Sequence, residues 1–246
     1  MSNVTFDFHG KNVLVTGAGE GLGWAIASAF GQVGANVFAN DLNPDRADKI
    51  AAHINQYGPG QAQAWQGDVS NKLLVGPMIE AMRDAFGRID VVVNAAGVEK
   101  RGDLTRLDEW DWRRMMDVNL NGAFFVTQLA ARVMAEEGGG VILHLGSIAG
   151  HPMPRPHSAA YSASKAGLIA LTKAAAQEWG PFGIRVNTLC PGLVADETSD
   201  PAPTTIPLGR WGQAQEVAQT ALFLCSAAAS FITGQALHVD GGESMV

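Results

Sequence analysis

Short apolar runs alternate along the chain with longer stretches in which apolar residues recur every three or four positions. Residues 12–16 read as a strand, and 21–33 as a helix with Leu22, Ala25, Ile26, Ala29 and Phe30 on one face. A second strand is expected over 36–40. A polar helix then opens at Pro44, whose fixed φ suits a first helical turn. A strand over 62–66, a helix over 73–86 and a strand over 90–94 continue the pattern. The last of these is an unbroken apolar run, the kind buried on both faces of a parallel sheet. Asp108 can cap a helix running toward Glu137, with a kink expected near Val118 and Asn119. Then come a strand (140–145), an Ala-rich helix (159–179), a strand (185–189), a helix (214–226) and a last strand (236–239). Strand–helix alternation throughout predicts an α/β fold, a doubly wound parallel sheet flanked by helices on both faces. No repeat, low-complexity segment or linker divides it, so residues 1–246 are expected to form a single domain.

Composition narrows the partners. Apolar residues are 47% of the 246 and charged residues 17%, which excludes a disordered chain. Lys plus Arg is 17 against 24 Asp plus Glu, a net charge of −7 that argues against nucleic acid. It leaves room for a small anion held locally by backbone N–H groups. No apolar run approaches the roughly 18 residues of a membrane span. Residues 1–10 lack the basic-then-apolar pattern of a secretory leader. Two cysteines, Cys190 and Cys225, are too few for a disulfide framework and have no zinc spacing. A metal-free protein in a reduced, cytoplasmic setting is expected.

Two constellations carry chemistry. Thr16-Gly17-Ala18-Gly19-Glu20-Gly21-Leu22-Gly23 lies between the first strand and the first helix, the context a dinucleotide-binding turn requires. Glycines there let a pyrophosphate approach the helix N-terminus, and the fold is accordingly expected to be Rossmann-type. Asp41 ends the second strand 24 residues after Gly17 (41 − 17), where an acidic side chain accepts from an adenosine ribose. A 2′-phosphate would meet like charge: two unit charges about 5 Å apart at an effective dielectric near 20 repel by roughly 3 kcal/mol. Glu20 adds to the repulsion, so NAD is expected over NADP. The second constellation is Tyr161 and Lys165, one helical turn apart on a shared face. A free phenol, pKa near 10, is a poor base at neutral pH. An ammonium about 4 Å away at that dielectric contributes roughly 4 kcal/mol, enough to bring it near its working pH.

With these residues the chain resembles the short-chain dehydrogenase/reductase family in its short, single-domain form. The resemblance runs co-linearly over nearly the whole chain. It rests on the glycine turn, Gly67-Asp68-Val69, Asn94-Ala95-Ala96-Gly97, Asn119 after Val118, Ser147, Tyr161 with Lys165, Pro191-Gly192, Ile232-Thr233-Gly234 and Val239-Asp240-Gly241-Gly242. It implies NAD(H)-dependent interconversion of a secondary alcohol and a ketone by direct hydride transfer. Its catalytic tetrad would be Asn119, Ser147, Tyr161 and Lys165. Tyr161 would exchange the proton with the substrate oxygen and Ser147 would hydrogen-bond that oxygen. Lys165 would lower the tyrosine pKa and bind the nicotinamide ribose, and Asn119 would hold a relay water. Cofactor contacts are implied at Gly17, Glu20, Gly21, Leu22 and Gly23, at Asp41 and Leu42, and at Asp68 toward the adenine amine with Val69. Asn94 on the ribose side, Ala95 and Gly97, Tyr161 with Lys165, and Pro191, Gly192 and Val194 complete that set. The implied partner is a small alcohol or ketone, and the implied assembly a homotetramer. Two other readings stay open: an NADP-preferring carbonyl or 3-oxoacyl-type reductase, and a cofactor-binding scaffold with little turnover.

Three departures from the family pattern stand out. Asp196 occupies the position of the usual carboxamide-anchoring threonine, and the nearest threonine is Thr198. The segment 193–208 is short and proline-rich, so a reduced substrate lid is expected. Ser147 and Tyr161 are 14 positions apart (161 − 147), one more than usual. The loop between them carries His151, Arg155 and His157, read as a stiff surface loop that could offer an anion contact. Trp211 is a candidate wall of the substrate pocket.

Overall fold

The computed structural model describes residues 5–151, 153–195 and 205–245. Strands β1 (Asn12–Thr16), β2 (Asn36–Asp41), β3 (Ala62–Gln66) and β4 (Val91–Asn94) alternate with helices α1 (Gly21–Gln32), α2 (Pro44–Tyr57) and α3 (Lys72–Phe86). Helix α4 (Glu109–Met116) passes through a π-helical turn (Asp117–Gly122) into α5 (Ala123–Glu136). Then follow β5 (Gly140–Leu145), α6 (Ala159–Trp179), β6 (Ile184–Pro191), α7 (Ala214–Cys225) and β7 (Ala236–Val239). All pairings are parallel, in the order β3-β2-β1-β4-β5-β6-β7.

The period-two geometry of a strand explains the two-sided burial. In β1, Val13 and Val15 enter the core beneath α1, α2 and α7, while Leu14 enters the opposite core with α3, α5 and α6. Helix starts follow local chemistry. Asn43 Oδ1 accepts from the Asp45 amide at 2.9 Å, with Pro44 in the first turn of α2. Asp108 accepts from the Trp110 amide at 2.7 Å and starts α4. The kink expected near Val118 is the π-helical turn, a distortion frequent at functional sites. Helix α1 has no such cap: Glu20 precedes it with no side-chain hydrogen bond, so its first amides stay open.

Winding runs outward in both directions from the neighbours β1 and β4, paired at Thr16 and Asn94. Ligands of open α/β sheets bind at the carboxyl ends of strands flanking such a reversal. Here the glycine turn leaves β1 and residues 95–98 leave β4.

Candidate functional site

Two cavities meet at that crevice. The smaller, about 310 Å³, lies between the glycine turn and the end of β2. The larger, about 650 Å³, lies over β5 and β6. They share Leu22, Ala95, Gly97, Val98 and Leu145, so one ligand can span both. Gly17, Glu20, Gly23, Asp41, Leu42, Asp68 and Val69 line the smaller. Gly21, Ser147, Tyr161, Lys165, Pro191, Gly192 and Val194 line the larger.

The glycine turn is tied to β2. Asp41 is buried; Oδ2 accepts from the Gly19 amide and Oδ1 from the Asn43 amide, each at 2.9 Å. Gly17 has φ +62°, and a Cβ there would lie 2.6 Å from Ala96 Cα, so the close approach of β1 and β4 needs glycine. Gly21 has φ +56° and faces open space. An uncapped helix start beside a glycine with nothing over it fits a pyrophosphate.

Asp68 is held by Ser70 and Arg114. Its Oδ1 accepts from the Ser70 amide and hydroxyl at 2.9 and 2.6 Å, and Arg114 Nη1 lies 3.2 Å from Oδ2. Burial works to raise its pKa, but the Ser70 hydrogen bonds and the Arg114 charge outweigh it and hold the carboxyl below its ordinary value. Arg46 reaches Glu20 at 2.6 Å. Arg46 and Arg114 both line the smaller cavity, and sequence reasoning missed both. Arg46 had a local signal, standing in the first turn of α2 just past Asp41. Arg114 had none, because it meets Asp68 from 46 residues away.

At the larger cavity, Ser147 follows β5 and Tyr161 and Lys165 stand in the first turns of α6. The structure corrects one expectation here. Burial pushes the Tyr161 phenol above its ordinary value of 10.0; a Ser147 hydrogen bond and the Arg155 charge work downward without overcoming it. Lys165 Nζ lies 5.6 Å from the Tyr161 ring centre and donates to the Leu145 carbonyl at 2.6 Å. Burial lowers its own pKa to about 8.

Asn119 and Asn94 stand behind the cavity walls. In the π-helical turn, Asn119 Oδ1 accepts from the Val98 amide at 2.8 Å. Its Nδ2 donates to the Val98 carbonyl at 2.9 Å and to Ser164 Oγ at 3.0 Å, bracing the segment over Lys165. Asn94 Nδ2 donates to Thr127 Oγ1 at 3.2 Å; its buried Oδ1 has no partner among the described residues. Thr127 continues to His144 at 3.0 Å and His144 to Thr172 at 2.8 Å, a buried network the sequence did not reveal. Burial holds His144 neutral, its pKa lowered to about 3.

The loop after Ser147 divides. His157 pairs with Asp103 at 2.6 Å on the surface, and His151 is exposed. Arg155 lines the larger cavity and pairs with Glu243 at 3.0 Å. Trp211 lines the same cavity, as expected of a pocket wall. Cys190 and Cys225 are buried, their thiols pushed up to about 11 and about 12 by burial, which makes them packing groups. Asp196 and Thr198, and with them most of the expected reduced lid, lie outside the described residues. Among the described residues no cluster of three His, Cys, Asp or Glu side chains could hold a metal, and no helix is long and apolar enough to cross a membrane.

Residues 17–244 match the family model described as Enoyl-(Acyl carrier protein) reductase. A D-threitol dehydrogenase from Mycolicibacterium smegmatis is 39% identical, over 99% of this chain and 97% of its own length. A short-chain type dehydrogenase/reductase from Mycobacterium marinum superposes with a TM-score of 0.92 at 35% identity, over 98% of each chain. A gluconate 5-dehydrogenase from Burkholderia cenocepacia, solved with NADP and tartrate, superposes with a TM-score of 0.90 at 34% identity, again over 98% of each. Fold and site together define a nucleotide-dependent oxidoreductase built on a single doubly wound sheet. The chain belongs to the short-chain dehydrogenase/reductase family.

Proposed function

We propose that the protein is an NAD(H)-dependent dehydrogenase interconverting a secondary alcohol and a ketone, with Tyr161 as acid and base. The observation that carries the proposal is the placement of Ser147, Tyr161 and Lys165 in a cavity continuous with one that ends on Asp41. A nicotinamide bound across both cavities supplies or accepts the hydride.

The chain's own groups would do the rest. The open first amides of α1 would hold the pyrophosphate. Asp41, fixed by two amides, would accept from an adenosine ribose and repel a 2′-phosphate. Asp68 would take the adenine amine. A Cβ on Gly97 would stand 3.4 Å from Asn119 Oδ1 and 3.6 Å from Lys165 Nζ, so glycine there leaves room for a ribose against Lys165. Ser147 would orient the substrate oxygen and Tyr161 would take or return its proton. Asn119 would brace residues 97–98, and its relay-water role is part of the same proposal. At rest the phenol is protonated, the form that donates to a ketone oxygen. A homotetramer is proposed with it; Trp110 and Trp112 of α4 and Phe124 of α5 offer exposed apolar surface.

The NADP complex of the gluconate dehydrogenase, together with Arg46 beside Asp41, favours a second reading in which the cofactor is NADP. Nicotinamide absorbance with NAD and with NADP, over a panel beginning with D-threitol and gluconate, tests both. Turnover with NAD at least about tenfold more efficient supports the first reading; the reverse preference supports the second. Nucleotide binding with no turnover on any compound would leave the scaffold reading standing.

A further inference from the structure

The proposed chemistry does not use Arg155. This side chain is 24% exposed and lines the larger cavity in company with Tyr161. Its charge bears on the phenol. Behind it stands Glu243, whose side chain is 5% exposed. Oε1 of Glu243 accepts from Arg155 Nη2 at 3.0 Å and Oε2 accepts from the Leu193 amide at 3.1 Å. The carboxylate therefore has both oxygens engaged and ties the guanidinium to the wall after Gly192. Only Nη2 of Arg155 has an acceptor among the described residues. A guanidinium carries five N–H donors in a fixed fork, so a planar edge of this one is left for a ligand.

Charge in the cavity points the same way. Arg101, Arg155 and Lys165 line it against one lining carboxylate, Glu99. Counting Glu243 behind the wall leaves an excess of one positive charge, in a chain whose net charge is −7. Such a wall suits an anionic, oxygen-rich ligand better than an apolar one.

Resting on the oxidoreductase reading of the same cavity, we propose that the substrate is a hydroxy acid, its carboxylate seated on Arg155 while its carbinol faces Tyr161. Arg155 is then the residue that separates acids from neutral polyols, and Glu243 is its positioning residue.

The test compares two matched pairs, gluconate with D-glucitol and threonate with D-threitol, on the wild type, Arg155→Gln and Arg155→Lys. Titration of tryptophan fluorescence with tartrate, in the presence of NADH, reads binding without turnover. The proposal expects wild-type kcat/KM to favour the acid of a pair by on the order of 10–100-fold, mostly through KM. It expects that ratio to fall close to one in Arg155→Gln and to recover in part in Arg155→Lys. Tartrate binding should weaken with added salt and by a similar factor in Arg155→Gln. A wild type that prefers the polyols, or an acid-to-polyol ratio and tartrate affinity indifferent to Arg155→Gln, would overturn it. If no compound turns over, the oxidoreductase reading fails, and tartrate binding still decides whether Arg155 is an anion site. Should Arg155→Gln fail to fold, Arg155→Lys and the wild-type ratio carry the decision.

Discussion

Asp41 is the point at which cofactor choice can be separated from the fold. The perturbation is Asp41→Asn, which keeps the shape and removes the charge. At about 5 Å and an effective dielectric near 20, the carboxylate costs a 2′-phosphate roughly 3 kcal/mol. That corresponds to a factor of about 100–200. Asparagine keeps one acceptor but turns an NH₂ toward either the Gly19 or the Asn43 amide, both now donating at 2.9 Å. Losing one hydrogen bond to a buried carboxylate costs about 1.5–3 kcal/mol. At roughly 2–4 °C per kcal/mol for a chain of this size, Tm should fall by about 3–12 °C. The ratio of kcat/KM with NADP to that with NAD should rise about 100-fold. The assay is steady-state nicotinamide absorbance with each cofactor at one fixed substrate, beside a thermal melt. A ratio that moves less than about threefold while Tm drops as expected would refute the electrostatic account. It would leave Asp41 as a clasp for the glycine turn only.

Other expectations follow from the same geometry. His144 has a folded pKa of about 3 against an ordinary 6.5, so its unfolded form takes up a proton first as pH falls. The wild type should therefore keep this part of its stability above pH about 6.5 and lose about 2 kcal/mol of it by pH 5, while the melting curve of His144→Gln should lack that acid dependence. Burial raises the Tyr161 phenol, so kcat/KM for alcohol oxidation should climb with pH through 8 with no plateau near 7; a plateau at neutral pH would contradict the protonated resting state. Gly17→Ala, with its Cβ 2.6 Å from Ala96 Cα and φ at +62°, should destabilise the fold by on the order of 1–3 kcal/mol in urea unfolding and weaken NADH binding with it.

The architecture was legible because strands and helices alternate with clean periods. The strands 12–16, 62–66, 140–145 and 236–239 lie where periodicity placed them, and the interruption near Val118 is real. The co-linear motifs placed most of the proposed cofactor residues on the two cavities, since each follows a strand end that the sheet aligns. Contacts between distant segments were not legible. Arg114 on Asp68, Glu243 on Arg155 and the chain from Asn94 to Thr172 join residues 17 to 88 positions apart. Side-chain direction was also hidden. Asp41 spends both oxygens on backbone amides, and Lys165 spends one donor on Leu145. An i, i+4 spacing says that two residues share a face and leaves open how far apart their polar ends lie.

The central claim is that Tyr161 carries the proton while the cavity holds the cofactor without it. Tyr161→Phe removes one hydroxyl and keeps the ring. Measured beside the wild type with NAD and its best substrate, kcat should fall by about 10²–10⁴-fold, and NADH binding, followed by fluorescence, should stay within about threefold. Activity within about tenfold of wild type, with NADH bound normally, would remove Tyr161 from the chemistry and contradict the account.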